Sequence, residues 1–167
     1  MLILGLDPGS ERMGFGLIES RQGALRLVTQ GLLRPPAGLP LLERLPHLEA
    51  AVDRLIERAR PDVVAAEDLF VAKNSRVALQ LGHVRGATLL PILRAGIPLH
   101  EYAPRQVKKA VTGYGAAEKG QVRKMVSLLL GVPDRDLAFD ASDALALAIC
   151  HAHLGQTAAR AAQHAVR

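Results

Sequence analysis

Leu2-Ile3-Leu4-Gly5-Leu6-Asp7-Pro8-Gly9-Ser10 is the stretch on which the fold turns. Its opening residues are apolar or glycine without interruption, the pattern of a central strand covered on both faces. Asp7 ends the run, and Pro8-Gly9-Ser10 forces a turn directly behind it. Gly14 to Glu19 and Leu25 to Leu33 read as two further strands, parted by the polar turn Ser20-Arg21-Gln22-Gly23. The chain is therefore expected to open with three antiparallel strands. Beyond the Pro35-Pro36-Ala37-Gly38 loop, Leu41, Leu42, Leu45, Leu48, Val52, Leu55 and Ile56 recur at spacings of three and four. That period predicts an amphipathic helix ending before Pro61, kinked or started late by Pro46. Val63 to Glu67 reads as a short buried strand, Asn74 to Ala95 as a helix and Pro98 to Tyr102 as a fifth strand. Helical segments follow near Arg105 to Val111, Glu118 to Leu130 and Phe139 to Leu154. The order predicts an α/β domain with a five-stranded mixed sheet, three antiparallel strands then two parallel, and helices on both faces. Residues 1–154 are expected to form this domain and residues 155–167, mostly Ala and Gln with two arginines, a frayed helix or flexible tail.

Four acids stand where the pattern wants burial. Asp7 closes the first strand, Glu67 closes Val63-Val64-Ala65-Ala66, and Asp140 and Asp143 open an alanine-rich helix. A buried carboxylate without a partner costs at least a few kcal/mol, so acids at the ends of core elements need cations or donors nearby. Asp140 and Asp143, three residues apart on a helix, present their carboxylates on one face. The helix behind them is apolar nearly all round, so it should pack on the sheet and carry the pair toward the strand ends. Each acid has a plainer reading: Asp140 as an N-cap, Glu67 as half of an edge salt bridge, Asp7 as a turn residue. If they converge instead, a divalent metal is the natural counter-ion.

The chain of 167 residues carries a net charge of +5, with a sequence pI of about 9.9. The excess is local. Between Glu101 and Lys124 the cations Arg105, Lys108, Lys109, Lys119, Arg123 and Lys124 face only Glu101 and Glu118. A basic surface beside clustered acids suits a polyanion held near metal ions, which points to a nuclease. The lone Cys150 excludes an internal disulfide and a thiolate zinc cluster. No stretch approaches the ~20 apolar residues that span a bilayer, and the N-terminus lacks the marks of a signal peptide. A cytoplasmic protein with no membrane partner is expected.

Five blocks together resemble the ordered motifs of the RuvC family of crossover junction endodeoxyribonucleases, within the RNase H-like superfamily. They are Asp7-Pro8-Gly9-Ser10, Glu67-Asp68-Leu69-Phe70-Val71-Ala72-Lys73-Asn74, Tyr102-Ala103-Pro104-Arg105-Gln106-Val107-Lys108, Ala117-Glu118-Lys119 and Asp140-Ala141-Ser142-Asp143-Ala144-Leu145-Ala146. The likeness runs from about Met1 to His153. It implies that Asp7, Glu67, Asp140 and Asp143 hold two Mg²⁺ ions, with Mn²⁺ able to substitute. Such ions, ~4 Å apart, activate a water for in-line attack on phosphorus, leaving a 5′-phosphate and a 3′-hydroxyl. Some family members carry histidine at the last acid. Asp143 makes this site all-carboxylate.

The resemblance further implies that Phe70 stacks on a base at a branch point and that Lys108 and Lys119 approach the backbone near the cut. Lys73, Arg76, Arg105 and Arg123 are expected to add DNA contacts, with Lys109 and Lys124 as further basic positions. The implied partners are a four-way (Holliday) junction, a second copy of the chain and the branch-migration motor of RuvA and RuvB. Ala78, Gly82 and Gly86 recur every four residues along the Asn74 helix. They allow close approach either to the protein's own sheet or to that second copy, and Pro91 should kink or shorten the helix. Two other classes compete. Actin-like ATPases also place an acid-and-glycine turn after a first strand, but need two such domains around a nucleotide. A catalytically silent junction-binding module would keep the basic surface without needing four acids.

Overall fold

The computed structural model describes residues 1–68 and 75–165, with side chains as far as Gly155. Five strands form one sheet in the order β3-β2-β1-β4-β5. They are β1 (Leu2–Asp7), β2 (Met13–Arg21), β3 (Ala24–Leu33), β4 (Val63–Glu67) and β5 (Leu99–Tyr102). β1, β2 and β3 pair antiparallel, whereas β4 runs parallel to both β1 and β5. The helices are α1 (Leu41–Ala59), α2 (Ser75–Arg94), α3 (Pro104–Thr112), α4 (Lys119–Leu130) and α5 (Phe139–Ala165). A 3-10 turn at Asp134–Asp136 leads into α5. This is the mixed α/β sheet expected from the sequence.

The strand period of two sorts the core into two layers. Leu4 and Leu6 of β1 with Val64 and Ala66 of β4 meet Val52 and Ile56 of α1 and Leu89 and Ile92 of α2. Ile3, Val63 and Ala65 face the other way, into the layer built by α3, α4 and α5. Further along that second face, past Gly5 in β1 and directly after Ala65 in β4, each strand ends in an acid. The register pairs Leu6 with Ala66, so Asp7 and Glu67 leave the adjacent ends of β1 and β4 together on the α5 side.

Prolines act less on the helices than their positions suggest. α1 begins at Leu41, ahead of Pro46, and α2 continues to Arg94 past a buried Pro91. Pro46, at the sixth helical position, leaves the Leu42 carbonyl without its i→i+4 donor, yet the helix runs on through it to Ala59. α4 begins on a capping box: the Glu118 side chain accepts from the main chain of Gln121, whose side chain accepts from the Glu118 N–H. Among the described residues no helix is long and apolar enough to cross a membrane.

The contact that sets the site is between α5 and the sheet. Ala141, Ala144 and Ala148 are fully buried, and glycines lie opposite them. A Cβ on Gly5 would collide with the carbonyl of Ala144, one on Gly14 with that of Asp140, and one on Gly16 with the side chain of Leu145. Main chain thus lies against main chain along the first turns of α5. Overpacking a core typically costs about 1–3 kcal/mol, and here the obstacle is backbone that cannot rotate aside. Gly5→Ala should lower the unfolding free energy by at least about 1–3 kcal/mol in urea titrations. Gly120→Ala, where a Cβ meets nothing within 4 Å, should be neutral or stabilise by up to ~1 kcal/mol.

Candidate active site

Three elements converge at one end of the sheet. Asp7 ends β1, while Asp140 and Asp143 lie in the first turns of α5. Each of these acids offers a carboxylate oxygen, and the oxygens lie within 4.8 Å of one another. Glu67, ending β4, lines a cleft of about 280 Å³ with Asp7, Asp143, Lys108 and Lys119, floored by Val107, Val122, Ala146 and Leu147. Of the four acids singled out in the sequence, three are gathered within bonding reach of one ion and the fourth faces the same space.

The electrostatics show how far the cluster is from balance. Arg12 Nε lies 2.5 Å from Asp140 Oδ2, and Lys119 Nζ lies 3.0 Å from Asp143 Oδ2. Hydrogen bonding to Asp143 and the field of the acids hold the Lys119 ammonium above its usual range. Asp7 is less well served: burial first, then the charges of Glu67 and Asp143, push its carboxyl from 3.8 up to about 7. Burial and Asp143 raise Glu67 too, against the opposing pull of Lys119, Arg85 and Lys108. Like charges crowded into a partly buried space repel unless a cation neutralises them. An all-oxygen donor set with that unmet negative charge fits a hard divalent cation such as Mg²⁺ or Mn²⁺.

The basic residues fall into two groups. Lys108 and Lys119 stand inside the cleft, while Arg105, Lys109 and Lys124 are exposed along α3 and α4. Arg76 is exposed near the start of α2. Arg123 is committed within the fold: Nε and Nη2 each donate to Asp134 at 2.9 Å, and its guanidinium lies 4.2 Å from the centre of the Phe139 ring. It therefore ties α4 to the entry of α5. Phe70 and Lys73 lie outside the described residues.

Two cations at the site were not singled out by sequence reasoning. Arg12 follows the Pro8-Gly9-Ser10 turn and reaches Asp140, and Arg85 of α2 donates from Nη1 to the Glu67 carbonyl oxygen at 2.5 Å. Neither contact has a spacing signal, because each joins elements whose proximity is set only by the tertiary fold.

The raised pKa of Asp7 makes stability depend on pH in a definite direction. Between about pH 4 and pH 7 the folded state keeps a proton that the unfolded chain has released, so metal-free protein should lose stability as pH rises through that window. Above about 7 the loss levels off. Urea titrations in EDTA across this range should show the decline, on the order of a few kcal/mol. Asp7→Asn should flatten it and be more stable than the parent at pH 8. Parallel curves for the two proteins would show that Asp7 ionises normally.

Comparison with known proteins extends this geometry to the whole chain. The family model described as crossover junction endodeoxyribonuclease RuvC matches residues 3–151. A protein of that description from Chloroflexus aurantiacus is 49% identical over 160 residues, covering 96% of this chain and 98% of the relative. The structure of Thermus thermophilus RuvC in complex with a Holliday junction substrate matches with a TM-score of 0.87 at 32% identity, covering 95% of this chain and 96% of that one. The yeast mitochondrial Holliday junction resolvase Ydc2, at 11% identity and a TM-score of 0.64, shares the fold over 90% of this chain and 78% of its own. With the family model and a close relative both spanning nearly its full length, this chain belongs to the RuvC family.

Proposed function

We propose that the protein is a metal-dependent, structure-selective endonuclease that resolves four-way DNA junctions by paired symmetric nicks. The observation that carries this reading is the meeting of Asp7, Asp140 and Asp143 within 4.8 Å beside Glu67 and two lysines. Membership of a family described as crossover junction endodeoxyribonucleases supports the substrate class. So does the likeness to a relative whose structure holds a Holliday junction.

Asp7, Glu67, Asp140 and Asp143 are assigned as the ligands of two Mg²⁺ ions, with Mn²⁺ able to replace them. Bound there, such ions supply Lewis-acid activation of water for in-line attack on phosphorus and stabilise the leaving 3′-oxygen. The protein's own groups position and neutralise. Lys108 and Lys119, already in the cleft, meet the phosphates on either side of the cut, where a fixed positive charge needs no reorganisation as negative charge builds up. Arg76, Arg105 and Lys73 hold the flanking backbone, and Phe70 stacks on a base at the branch point. Arg123, its guanidinium held in place by Asp134 and Phe139, adds a backbone contact from a fixed position.

A four-way junction has two-fold symmetry and requires two cuts, which suits a homodimer. On α2, Leu79, Leu90 and Leu93 are exposed, and a Cβ on Gly82 or Gly86 would meet nothing within 4 Å. The protein's own sheet therefore does not account for these glycines, and we assign this face to the second copy. Action in the cytoplasm beside the RuvA and RuvB motor, in recombination and repair, completes the reading.

A labelled four-way junction incubated with and without Mg²⁺ tests it. The nuclease should give symmetric nicks bearing 5′-phosphates only with metal; binding without nicks under both conditions would favour the silent module. Asp7→Asn should keep junction affinity in a mobility-shift assay while abolishing detectable nicking. If a folded Asp7→Asn protein lost both, Asp7 would have no catalytic role. Phe70→Ala should reduce the nicking rate more than affinity, a stacked base being worth ~1–3 kcal/mol. Equal losses would mean that the ring serves binding alone.

A further inference from the structure

We infer that Arg85 is a positioning residue for Glu67: from α2, its guanidinium clamps the ends of β4 and β5 and fixes where the Glu67 carboxylate stands in the acidic cleft. The inference rests on the proposed metal-dependent reading of that cleft, and it concerns a residue that does not itself line the cleft and whose hydrogen bond to Glu67 goes to the main-chain oxygen.

The geometry is a pinned peptide. Glu67 is the last residue of β4, and beyond it the chain leaves the sheet, so its carbonyl must find a partner elsewhere. Arg85 Nη1 supplies it at 2.5 Å. On the other side of the same peptide unit, the Asp68 N–H donates to the Tyr102 carbonyl at 3.0 Å. A peptide plane held at its C=O and at its N–H cannot rotate, and its orientation sets the direction in which the Glu67 side chain leaves the backbone. Arg85 also forms an ion pair with Glu101 of β5, so one guanidinium bridges neighbouring strand ends.

The chemistry calls for arginine. The side chain is only 13% exposed, and burying a cation there is costly unless it is paired. Burial lowers its pKa, while the charges of Asp68 and Glu67 oppose that shift. The planar guanidinium donates from Nη1 to the Glu67 carbonyl while its Nη2 side pairs in charge with the Glu101 carboxylate; an ammonium is a single point charge without that fork. Arg94, on the same helix, provides the contrast. It pairs with Glu49 and Asp53 at 2.9 and 3.1 Å, is 52% exposed, and joins α2 to α1 away from the cleft.

The full-length protein tests this with Arg85→Met, Arg85→Lys, Glu101→Gln and, as a control, Arg94→Met. The readouts are Mn²⁺ affinity without DNA, by electron paramagnetic resonance, and single-turnover nicking of a four-way junction beside its dissociation constant in EDTA. Groups that orient metal ligands typically cost 10–100-fold in metal affinity or activity when removed, so Arg85→Met should weaken Mn²⁺ binding and slow nicking by roughly 10–100-fold. Its junction affinity should stay within about two-fold of the parent. Arg85→Lys should restore part of the loss, and Arg94→Met should match the parent. Glu101→Gln keeps the side-chain shape and loses only the ion pair. It should give an intermediate loss, and it remains informative if Arg85→Met does not fold. Unchanged Mn²⁺ affinity and nicking in folded Arg85→Met and Glu101→Gln proteins would overturn the inference. So would losses in Arg94→Met equal to those in Arg85→Met. If the parent itself bound no Mn²⁺ and cut no junction, the reading of the cleft would fail first, which separates the two outcomes.

Discussion

Carboxylates held within 4.8 Å of one another repel, and everything else at this end of the molecule is arranged around keeping them there. Water would screen the repulsion if the acids were on flexible, exposed side chains. Here the strand ends and the first turns of α5 hold them in a partly enclosed cleft, where screening is weaker and the cost is visible in the Asp7 carboxyl, pushed up to about 7. Arg12 and Lys119 offset part of the charge by pairing with Asp140 and Asp143. Among the described residues, Asp7 and Glu67 are left without an equally close cation. A fold that spends stability in this way does so where function needs charge density, and a hard cation is the partner that such density suits.

Much of this arrangement was legible in the chain. The unbroken apolar run of β1 announced a central strand, and the alternation within β1 and β4 carried a further message. Because side chains alternate sides, Asp7 must share a face with Ile3, and Glu67 with Val63 and Ala65. Strand adjacency then does the rest. The pairing of Asp140 with Asp143 followed from helical spacing alone. Strand and helix boundaries came within a few residues where Pro-Gly turns and the Glu118 cap mark them chemically, but α5 runs on to Ala165 where an end near Leu154 was expected.

Other features could not be read in advance. Arg85 and Arg12 look like ordinary surface cations on sequence, because nothing local says that α2 passes over the end of β4 or that the turn after β1 comes back to α5. Arg123 belonged to a basic run by composition, and its pairing was equally hidden, because Asp134 lies within its reach only once α4 and the 3-10 turn have folded together. Gly82 and Gly86 allowed two explanations on sequence, and their open surroundings remove the one based on the protein's own sheet. Charge and small-residue patterns name candidates, whereas long-range contacts decide their roles.

The glycines of β1 and β2 have a wider consequence. Where α5 meets Gly5 and Gly14, no side chain intervenes between helix and strand, so the backbone span from Asp7 to Asp140 and Asp143 contains no intervening rotamers. Its dimensions come from close van der Waals contact of main chain on main chain, between elements held rigid by their own hydrogen bonds. Conservative drift among the leucines, valines and isoleucines elsewhere in the core can then be absorbed by side-chain readjustment without altering the spacing of the acids. The ruler is main chain, and sequence variation in the surrounding core leaves its graduation intact.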